Sequence, residues 1–408
     1  MLLVIWLIAG WFISSRVEAQ VSQFSSGSTG SDGALNITAP GVTYLDPKAM
    51  SINPKGDNIF NFTTITIANG SILKISEVKV HGPVYFLAQG DVTISGAIDL
   101  RGDDSPGPTA TAAEQIPAFA GSGGYSGGLG GISGDANHQA LAGNGPGGGA
   151  AGDINSQSTF AVGGAFTTNR FLVPLVGGSG GGGTNDDGQY GAQGGAGGGG
   201  LLIASSTTIT MNGSGYANSN QTLVNGVINA SGGSGGSRGC GGAGGAVRLV
   251  ANSLVVGGAY GVNVAAGAGS ACKTNALPGL ARLEANSSNF SGIGPYGAGP
   301  VVTSLPFSLN LPTAPPPVIT VASINGVATN ANPFSFPDTT INSTAPVPVV
   351  INATNLPTNA TVTLYLLSDT SPNQAIPVTL TGDSTTSTAT VPVMFASGGT
   401  RGFVKATW

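Results

Sequence analysis

Charged side chains are scarce in this chain of 408 residues: Asp, Glu, Lys and Arg together make up 8% of it. The 13 Lys and Arg residues form no basic patch, so nucleic-acid binding is not an expected function. After the first twenty residues no run is long and apolar enough to span a bilayer, so we expect no transmembrane span in the mature chain. The surface must consist mainly of Ser, Thr, Asn, Gln and glycine backbone, which is typical of proteins outside the cell.

Cysteine and histidine are nearly absent. Cys240 and Cys272 are the two cysteines, and an even pair in an exported chain predicts one disulfide. No histidine lies near them, so zinc binding is not expected. His81 and His138 stand apart, and no nucleophile elbow is found in a strand-to-helix context. The sequence therefore assigns no catalytic residue.

The N-terminal residues 1–19 look like a secretory signal peptide. Residues 2–13 are an apolar core, and Val17-Glu18-Ala19 resembles a cleavage site before Gln20. No Lys or Arg precedes the apolar core, so an uncleaved anchor or a buried segment stays open as an alternative. We expect a secreted or cell-surface protein.

Glycine, in contrast, is abundant, with 69 residues, and it recurs at every third position in several runs. These glycines are 121, 124, 127 and 130; 188, 191, 194, 197 and 200; and 233, 236, 239, 242 and 245. Three residues per turn is the period of the polyproline II helix, which has no internal hydrogen bonds. The runs are predicted either to pack side by side or against a sheet, as polyglycine II helices do, or to form flexible linkers.

Short β-branched runs repeat in the first three quarters of the chain. A unit of three strands recurs, as in Val84-Tyr85-Phe86-Leu87, Asp91-Val92-Thr93-Ile94 and Ala97-Ile98-Asp99-Leu100. Such a repeat indicates a solenoid in which stacked coils bury a common core. The predicted fold class is all-β: a right-handed parallel β-helix over residues 20–311, with a glycine-rich insertion at about 105–197. A β-sandwich built from the same strands is the rival interpretation.

The C-terminal zone has a different pattern. A proline-rich linker at residues 312–317 leads into alternating strands such as Thr361-Val362-Thr363-Leu364-Tyr365-Leu366. The spacing of these strands over residues 318–408 predicts an immunoglobulin-like β-sandwich.

The first 105 residues or so resemble a group of secreted, glycine-rich bacterial proteins. The resemblance is carried by Gly30-Ser31-Asp32-Gly33-Ala34-Leu35-Asn36, by Gly56-Asp57-Asn58-Ile59-Phe60-Asn61-Phe62, by Asn69-Gly70 and by Gly82-Pro83-Val84-Tyr85-Phe86-Leu87-Ala88-Gln89-Gly90-Asp91. It implies export from a bacterium and an extracellular β-helix, and it transfers no activity. The C-terminal zone resembles bacterial immunoglobulin-like modules in its strand pattern alone.

Tyrosines are the candidate sugar-stacking residues: Tyr44, Tyr85, Tyr125, Tyr190, Tyr216, Tyr260 and Tyr296. Tyr125 and Tyr190 lie within glycine runs, where no strand would bury them, so we predict these two as exposed binding residues. Their alternative role is to pack the glycine-rich insertion.

Carboxylates supply the remaining candidates. Asp91 and Asp99 fall on neighbouring strands, and with Asp103 and Asp104 they raise the option of glycoside cleavage. Asp103-Asp104 and Asp186-Asp187 are candidate ligands for a structural calcium, although turn aspartates are common. We expect no other cofactor and no other metal.

Outward threonines in Thr63-Thr64-Ile65-Thr66 and Thr207-Thr208-Ile209-Thr210 suggest a flat array that orders water or binds ice. Two copies are few for such an array, and β-propensity also explains them.

These patterns favour a non-catalytic adhesive or structural protein of a bacterial surface that binds glycans, matrix or other copies of itself. A polysaccharide-active enzyme, either a hydrolase or a lyase, on a β-helix scaffold and a self-assembling extracellular fibre subunit are the alternatives.

Overall fold

A computed structural model of the chain describes residues 23–105, 116–155, 157–212, 225–236, 238–257, 261–270, 272–291, 301–329, 337–368, 371–395 and 402–407. The predicted signal peptide lies outside these residues. The described chain is almost entirely β, which confirms the all-β prediction. Among the described residues no helix has the length and apolar character needed to cross a membrane.

Short strands dominate the chain up to Ser304. In chain order they are β1 (Leu35–Ile37), β2 (Gly41–Tyr44), β3 (Ile59–Phe62), β4 (Ile65–Ile67), β5 (Ser71–Lys74), β6 (Val84–Ala88), β7 (Val92–Ile94), β8 (Ala97–Asp99), β9 (Gly131–Ile132), β10 (Gly152–Asp153), β11 (Thr184–Asp186), β12 (Gly200–Met211), β13 (Val227–Asn229), β14 (Ala246–Gly257), β15 (Val262–Asn263), β16 (Leu280–Ser291) and β17 (Val301–Ser304). Helix α1 (Pro47–Met50) and a 3-10 turn (Gln157–Thr159) are the helical elements among the described residues.

Parallel pairing arranges these strands in three columns. Column 1 stacks β3, β6, the first halves of β12, β14 and β16, and then β17. Column 2 stacks β1, β4, β7 and the second halves of the same three long strands. Column 3 stacks β2, β5, β8, β13 and β15. A separate small parallel sheet joins β9, β11 and β10 within the glycine-rich insertion.

Alternation along each strand sends every second side chain into a common core. The inward positions are Ile, Leu, Val and Phe, and most of them are fully buried. Phe60, Phe62 and Phe86 form a ring cluster there, with centroids 5.4 to 6.0 Å apart. Column 1 is buried on its outer face as well, where Tyr85, Leu202 and Val250 pack under Leu172 and Leu175.

The glycine-rich segments connect column 3 to column 1 after β8, β13 and β15. Successive amides of residues 194–200 donate in rotation to three neighbouring segments, 122–128, 240–243 and 100–103. The donor–acceptor pairs are Gly194–Gly128, Gly195–Cys240, Ala196–Asp103, Gly197–Tyr125, Gly198–Ala243, Gly199–Leu100 and Gly200–Ser122, at 2.8 to 3.2 Å. A period of three in sequence thus matches a period of three in hydrogen-bond partners. These residues are packed side by side and are not a flexible linker.

Close backbone approach makes glycine obligatory in this packing. A Cβ on Gly191, Gly194 or Gly197 would lie 2.0, 1.9 and 1.8 Å, respectively, from a carbonyl oxygen of the neighbouring segment. Real Cβ atoms do not come so near backbone oxygen, so these three positions admit hydrogen alone. Cys240–Cys272 joins two of these glycine-rich loops across 32 residues, which confirms the predicted disulfide.

A buried charged cluster fixes the chain as it leaves column 1. The Glu284 carboxylate accepts from Arg248 Nε at 2.8 Å and from Arg282 Nε at 2.6 Å, and the Glu284 and Arg248 side chains are fully buried. The Phe307 amide donates to Glu284, while Arg248 donates to the carbonyls of residues 307–309. The segment after β17 is therefore held on the outer face of the column.

Beyond Ser304 the pairing becomes antiparallel. The strands are β18 (Val318–Ile324), β19 (Val327–Ala328), β20 (Val347–Thr354), β21 (Val362–Ser368), β22 (Gln374–Val378), β23 (Thr381–Gly382), β24 (Thr386–Val393) and β25 (Gly402–Thr407). They form a sheet in the order β19-β18-β20-β24-β23 and a second sheet in the order β22-β21-β25. One core, which includes Val349, Ile351, Leu364 and Val393, lies between them.

The glycine packing predicts a large penalty for a single methyl group. Gly197→Ala should lower the free energy of unfolding by about 3 kcal/mol or more, because the new Cβ collides with rigid backbone. Guanidinium unfolding followed by circular dichroism measures this change. In the control Gly257→Ala the new Cβ meets a single atom, Met211 O, at 3.6 Å. That variant should stay within about 1 kcal/mol of the parent; equal effects would contradict the obligatory role of Gly197.

The charged cluster predicts a second stability effect. Glu284→Gln leaves two buried guanidinium groups without a counter-charge and should cost about 3 to 5 kcal/mol in the same unfolding measurement. Lys79→Gln removes an ion pair, Lys79–Asp46, whose side chains are 34% and 28% exposed, and should cost less than about 1 kcal/mol. Similar midpoints for the two variants would show that the cluster does not anchor the chain.

Candidate functional site

Column 3 carries a row of polar residues on its outer face. Strand register places Tyr44, Lys74, Asp99, Asn229 and Asn263 next to one another, one from each strand. Each stands next to an inward position of its strand, so the two-residue period turns all five side chains outward. The stacking of the coils, and not nearness in sequence, creates this row.

In β8, β13 and β15 the side chain of the last residue also accepts a hydrogen bond from the backbone amide two residues later. The Asp99 carboxylate accepts from the Arg101 amide at 3.0 Å. Asn229 and Asn263 accept in the same way from Ser231 and Ala265, each at 3.0 Å. This repeated role explains why Asp or Asn occupies the position in all three strands. Of the three residues, Asp99 on β8 is the one with a negative charge.

A network of ion pairs surrounds that negative charge. Lys74 Nζ lies 3.3 Å from Asp99 Oδ2 and 3.6 Å from Asp103 Oδ1. The Arg101 guanidinium forks onto the Asp99 carboxylate, with Nε at 3.1 Å and Nη2 at 3.3 Å. The Asp99 side chain is 4% exposed and that of Asp103 is 40% exposed. The network is therefore buried at Asp99 and open to solvent at Asp103.

These residues line a shallow cleft of about 260 Å³. Its lining residues are Val42, Tyr44, Lys74, Ser76, Asp99, Arg101 and Asp103. Tyr44 is 42% exposed and Val42 58% exposed, so an aromatic ring and an aliphatic side chain flank the charged groups at the surface. The arrangement offers a ligand both apolar contact and several fixed hydrogen-bonding groups.

The two carboxylates of the cleft differ in their surroundings. Burial raises the pKa of Asp103 above its usual value, and the Asp99 charge adds to this rise, while Lys74 and Arg101 oppose it. Asp99 accepts hydrogen bonds on both of its oxygens. Asp103 is therefore the group that holds a proton more readily than an ordinary aspartate.

The structure buries one of the two predicted tyrosines and half-buries the other. Tyr190 is 5% exposed, so the exposed position expected for it is not found. Its hydroxyl donates to the Ser368 carbonyl at 2.9 Å, and its ring packs edge-on against His138. Tyr125 is half-buried, and burial raises its pKa. Both side chains pack the glycine-rich insertion, which was the alternative role.

The remaining tyrosines are divided between the core, the surface and undescribed parts of the chain. Tyr85 lies on the covered face of column 1, where burial raises its pKa to about 12. Tyr216, Tyr260 and Tyr296 lie outside the described residues. Among the candidate sugar-stacking tyrosines that the structure describes, Tyr44 is the one with an exposed ring, and it lines the cleft.

Tyr190 belongs to a contact between the glycine-rich insertion and the antiparallel sheets. His138 Nδ1 lies 2.6 Å from Asp135 Oδ2, and Nε2 lies 2.9 Å from the Ser371 carbonyl. The Asn373 amide donates to the Asn137 carbonyl at 3.0 Å. The two parts of the chain are thus joined by hydrogen bonds to backbone groups of Ser368, Ser371 and Asn373.

The calcium candidates are engaged in separate contacts. Asp104 accepts from the Ser234 amide at 2.6 Å, and Asp187 accepts from Asn155 at 2.9 Å. Asp186 lies 3.7 Å from the Arg238 guanidinium, and Asp103 faces Lys74. Within the described ranges no three His, Cys, Asp or Glu side chains gather as a metal site would require.

Sequence reasoning grouped Asp99 with Asp103 and named Tyr44 apart from them, but it missed Val42, Lys74, Ser76 and Arg101 as their neighbours. The sequence did hold a sign that Lys74 and Asp99 are neighbours, because each ends the third strand of its repeat and successive repeats stack. Comparison with known proteins adds nothing to these residues: no protein-family model, no curated protein and no solved structure matches the chain.

The packed tyrosines predict an effect on docking. Tyr190→Phe removes the hydrogen bond to Ser368 and should weaken the contact by about 1 kcal/mol, which hydrogen exchange at the Ser371 and Asn373 amides detects as faster exchange. Tyr125→Phe is the matched control, because no described residue accepts a hydrogen bond from its hydroxyl, and exchange should not change. Unaltered exchange in Tyr190→Phe would show that this bond contributes nothing to docking.

Proposed function

We propose that this chain is a secreted, cell-surface protein of a bacterium with an adhesive and structural role, and that it binds glycans in the Tyr44 cleft. In this proposal the three columns form a right-handed parallel β-helix, and the glycine segments pack as polyglycine II helices beside it. The antiparallel sheets form an immunoglobulin-like sandwich. The disulfide and the nearly uncharged composition support a location outside the cell.

One observation carries the glycan proposal: an exposed tyrosine ring stands beside an ordered network of donors and acceptors. Sugars present apolar C–H faces edged by hydroxyl groups, which match a ring flanked by fixed polar groups. Lys74, Arg101, Asp99 and Asp103 are held by one another, so little side-chain freedom is lost when a ligand binds. Positive and negative groups are balanced, which favours a neutral ligand.

The glycan proposal predicts the outcome of an array experiment with residues 20–408. The parent protein should bind a subset of glycans, and Tyr44→Ala should weaken that binding about tenfold or more, since an anchoring aromatic contributes about 1.4 kcal/mol or more. Phe307→Ala is the matched control, because Phe307 is 53% exposed on another face. Binding that survives Tyr44→Ala would remove the cleft from the proposal, and no binding on the array would overturn glycan recognition.

A polysaccharide-active enzyme is the second candidate, since Asp99 and Asp103 are bridged by one ammonium group and the pKa of Asp103 is raised. A raised pKa suits a general acid. However, the Asp99 side chain is 4% exposed and its oxygens are occupied, which disfavours it as base or nucleophile. Product analysis of the array samples separates the candidates: fragments that disappear in Asp99→Asn would establish the enzyme.

Self-assembly into fibres has less support at one end of the columns. The free edge of β3 is already paired, because the Asp32 amide donates to the Asn61 carbonyl and the Thr63 amide donates to the Gly33 carbonyl. The Asp32 carboxylate also accepts from the Asn61 and Asn53 amides. A second copy therefore finds no open strand edge at β3, and end-to-end stacking through it is disfavoured.

A further inference from the structure

The outer face of column 2 is an array of small side chains, all but one of them neutral. Register aligns a central row across six strands, one residue from each. Its members are Asn36, Thr66, Thr93, Thr210, Val255 and Asn289. Two threonine copies were recognised in the sequence, and the register adds Thr93 between them, so that three threonines follow one another on adjacent strands.

A second row runs beside the first on the same face. It consists of Thr208, Ser253 and Ser287, which the strand register aligns, together with Thr64 and Asp91, which stand directly before β4 and β7. Asp91 is the single charged residue of the two rows, and its carboxylate accepts from Thr207 Oγ1 at 2.5 Å. The other two columns differ, since column 1 is covered by apolar chain and column 3 carries the charged cleft.

The threonine hydroxyl groups of the central row make no hydrogen bond to the described residues. In the described part of the chain, Thr66, Thr93 and Thr210 donate no side-chain hydrogen bond to any protein group, whereas Thr207 and Ser205 beside them are engaged. All three are partly exposed and lie on strands whose inward neighbours are fully buried. Their hydroxyl and methyl groups therefore face solvent from a rigid base.

The spacing of these groups forms a two-dimensional lattice. Neighbouring strands repeat at about 4.8 Å, and residues two apart on a strand repeat at about 6.6 Å, so six strands span about 24 Å. A rigid and almost uncharged lattice of this kind matches a partner that is itself a lattice of hydrogen-bonding molecules. We propose that the column 2 face binds ice, with the threonine hydroxyls replacing lattice waters and the methyl groups ordering the waters between them.

The chemistry of the face favours crystalline water over other partners. No aromatic ring is present in the two rows, so stacking on a sugar ring is not offered. One engaged charge gives no basis for pairing with a charged peptide or a lipid headgroup. The proposal is independent of the glycan cleft, which lies on another column.

The test measures ice binding by the purified protein in a nanolitre osmometer, as thermal hysteresis and as faceting of a single ice crystal. The parent protein should shape the crystal and produce hysteresis. Thr93→Tyr and Thr210→Tyr each place a bulky ring on the flat face and should reduce hysteresis to the level of buffer. Because both side chains point outward, circular dichroism should show parent-like folding.

Thr320→Tyr is the matched control, since Thr320 is an exposed strand threonine of the antiparallel part. It should keep the parent hysteresis, as should Tyr44→Ala. Absence of hysteresis in the parent, or its survival in folded Thr93→Tyr, would overturn the proposal. So would binding of the parent to crystalline chitin or cellulose, in the absence of hysteresis, if Thr93→Tyr abolished it, because the face would then belong to a polysaccharide surface.

Discussion

This structure depends on close packing of glycine backbones against one another, with no side chain between them. Each glycine-rich segment contacts several others, and in residues 194–200 successive backbone amides donate in turn to three neighbouring segments. Such packing satisfies the backbone polar groups in the interior while burying almost no side chain. It tolerates no Cβ at its contact points, because carbonyl oxygens lie about where that atom would be. The abundance of glycine in these segments follows from this packing.

The glycine packing and the strand columns support each other. After β8, β13 and β15 the chain passes from column 3 through a glycine loop and back to column 1, so the register of the strands sets the alignment of the glycines. The buried disulfide sulphur of Cys240 lies in this packing, and the docking contacts at His138 and Tyr190 attach the antiparallel sheets to it. A loosened glycine loop would therefore disturb both the columns and the attached part.

The three outer faces of the columns have separate chemistries because the strands contribute to them independently. Apolar chain and an arginine–glutamate cluster cover column 1. Ion pairs and an exposed tyrosine occupy column 3. Column 2 holds threonine and asparagine in register. Two faces thus remain for ligands, one suited to a small polar molecule in a cleft and one suited to a flat surface.

By itself the sequence determined the all-β class, the disulfide and the three-residue glycine spacing, since these follow from local composition and periodicity. It also marked Asp99 and Tyr44, but without a connection between them. Tertiary structure decided which residues meet: Lys74 bridges Asp99 and Asp103, and Thr93 joins Thr66 and Thr210, because coils stack at a register that sequence spacing leaves open. It also buried Tyr190, since backbone partners from residues distant in sequence, including Ser368, surround it, and no local pattern encodes such partners.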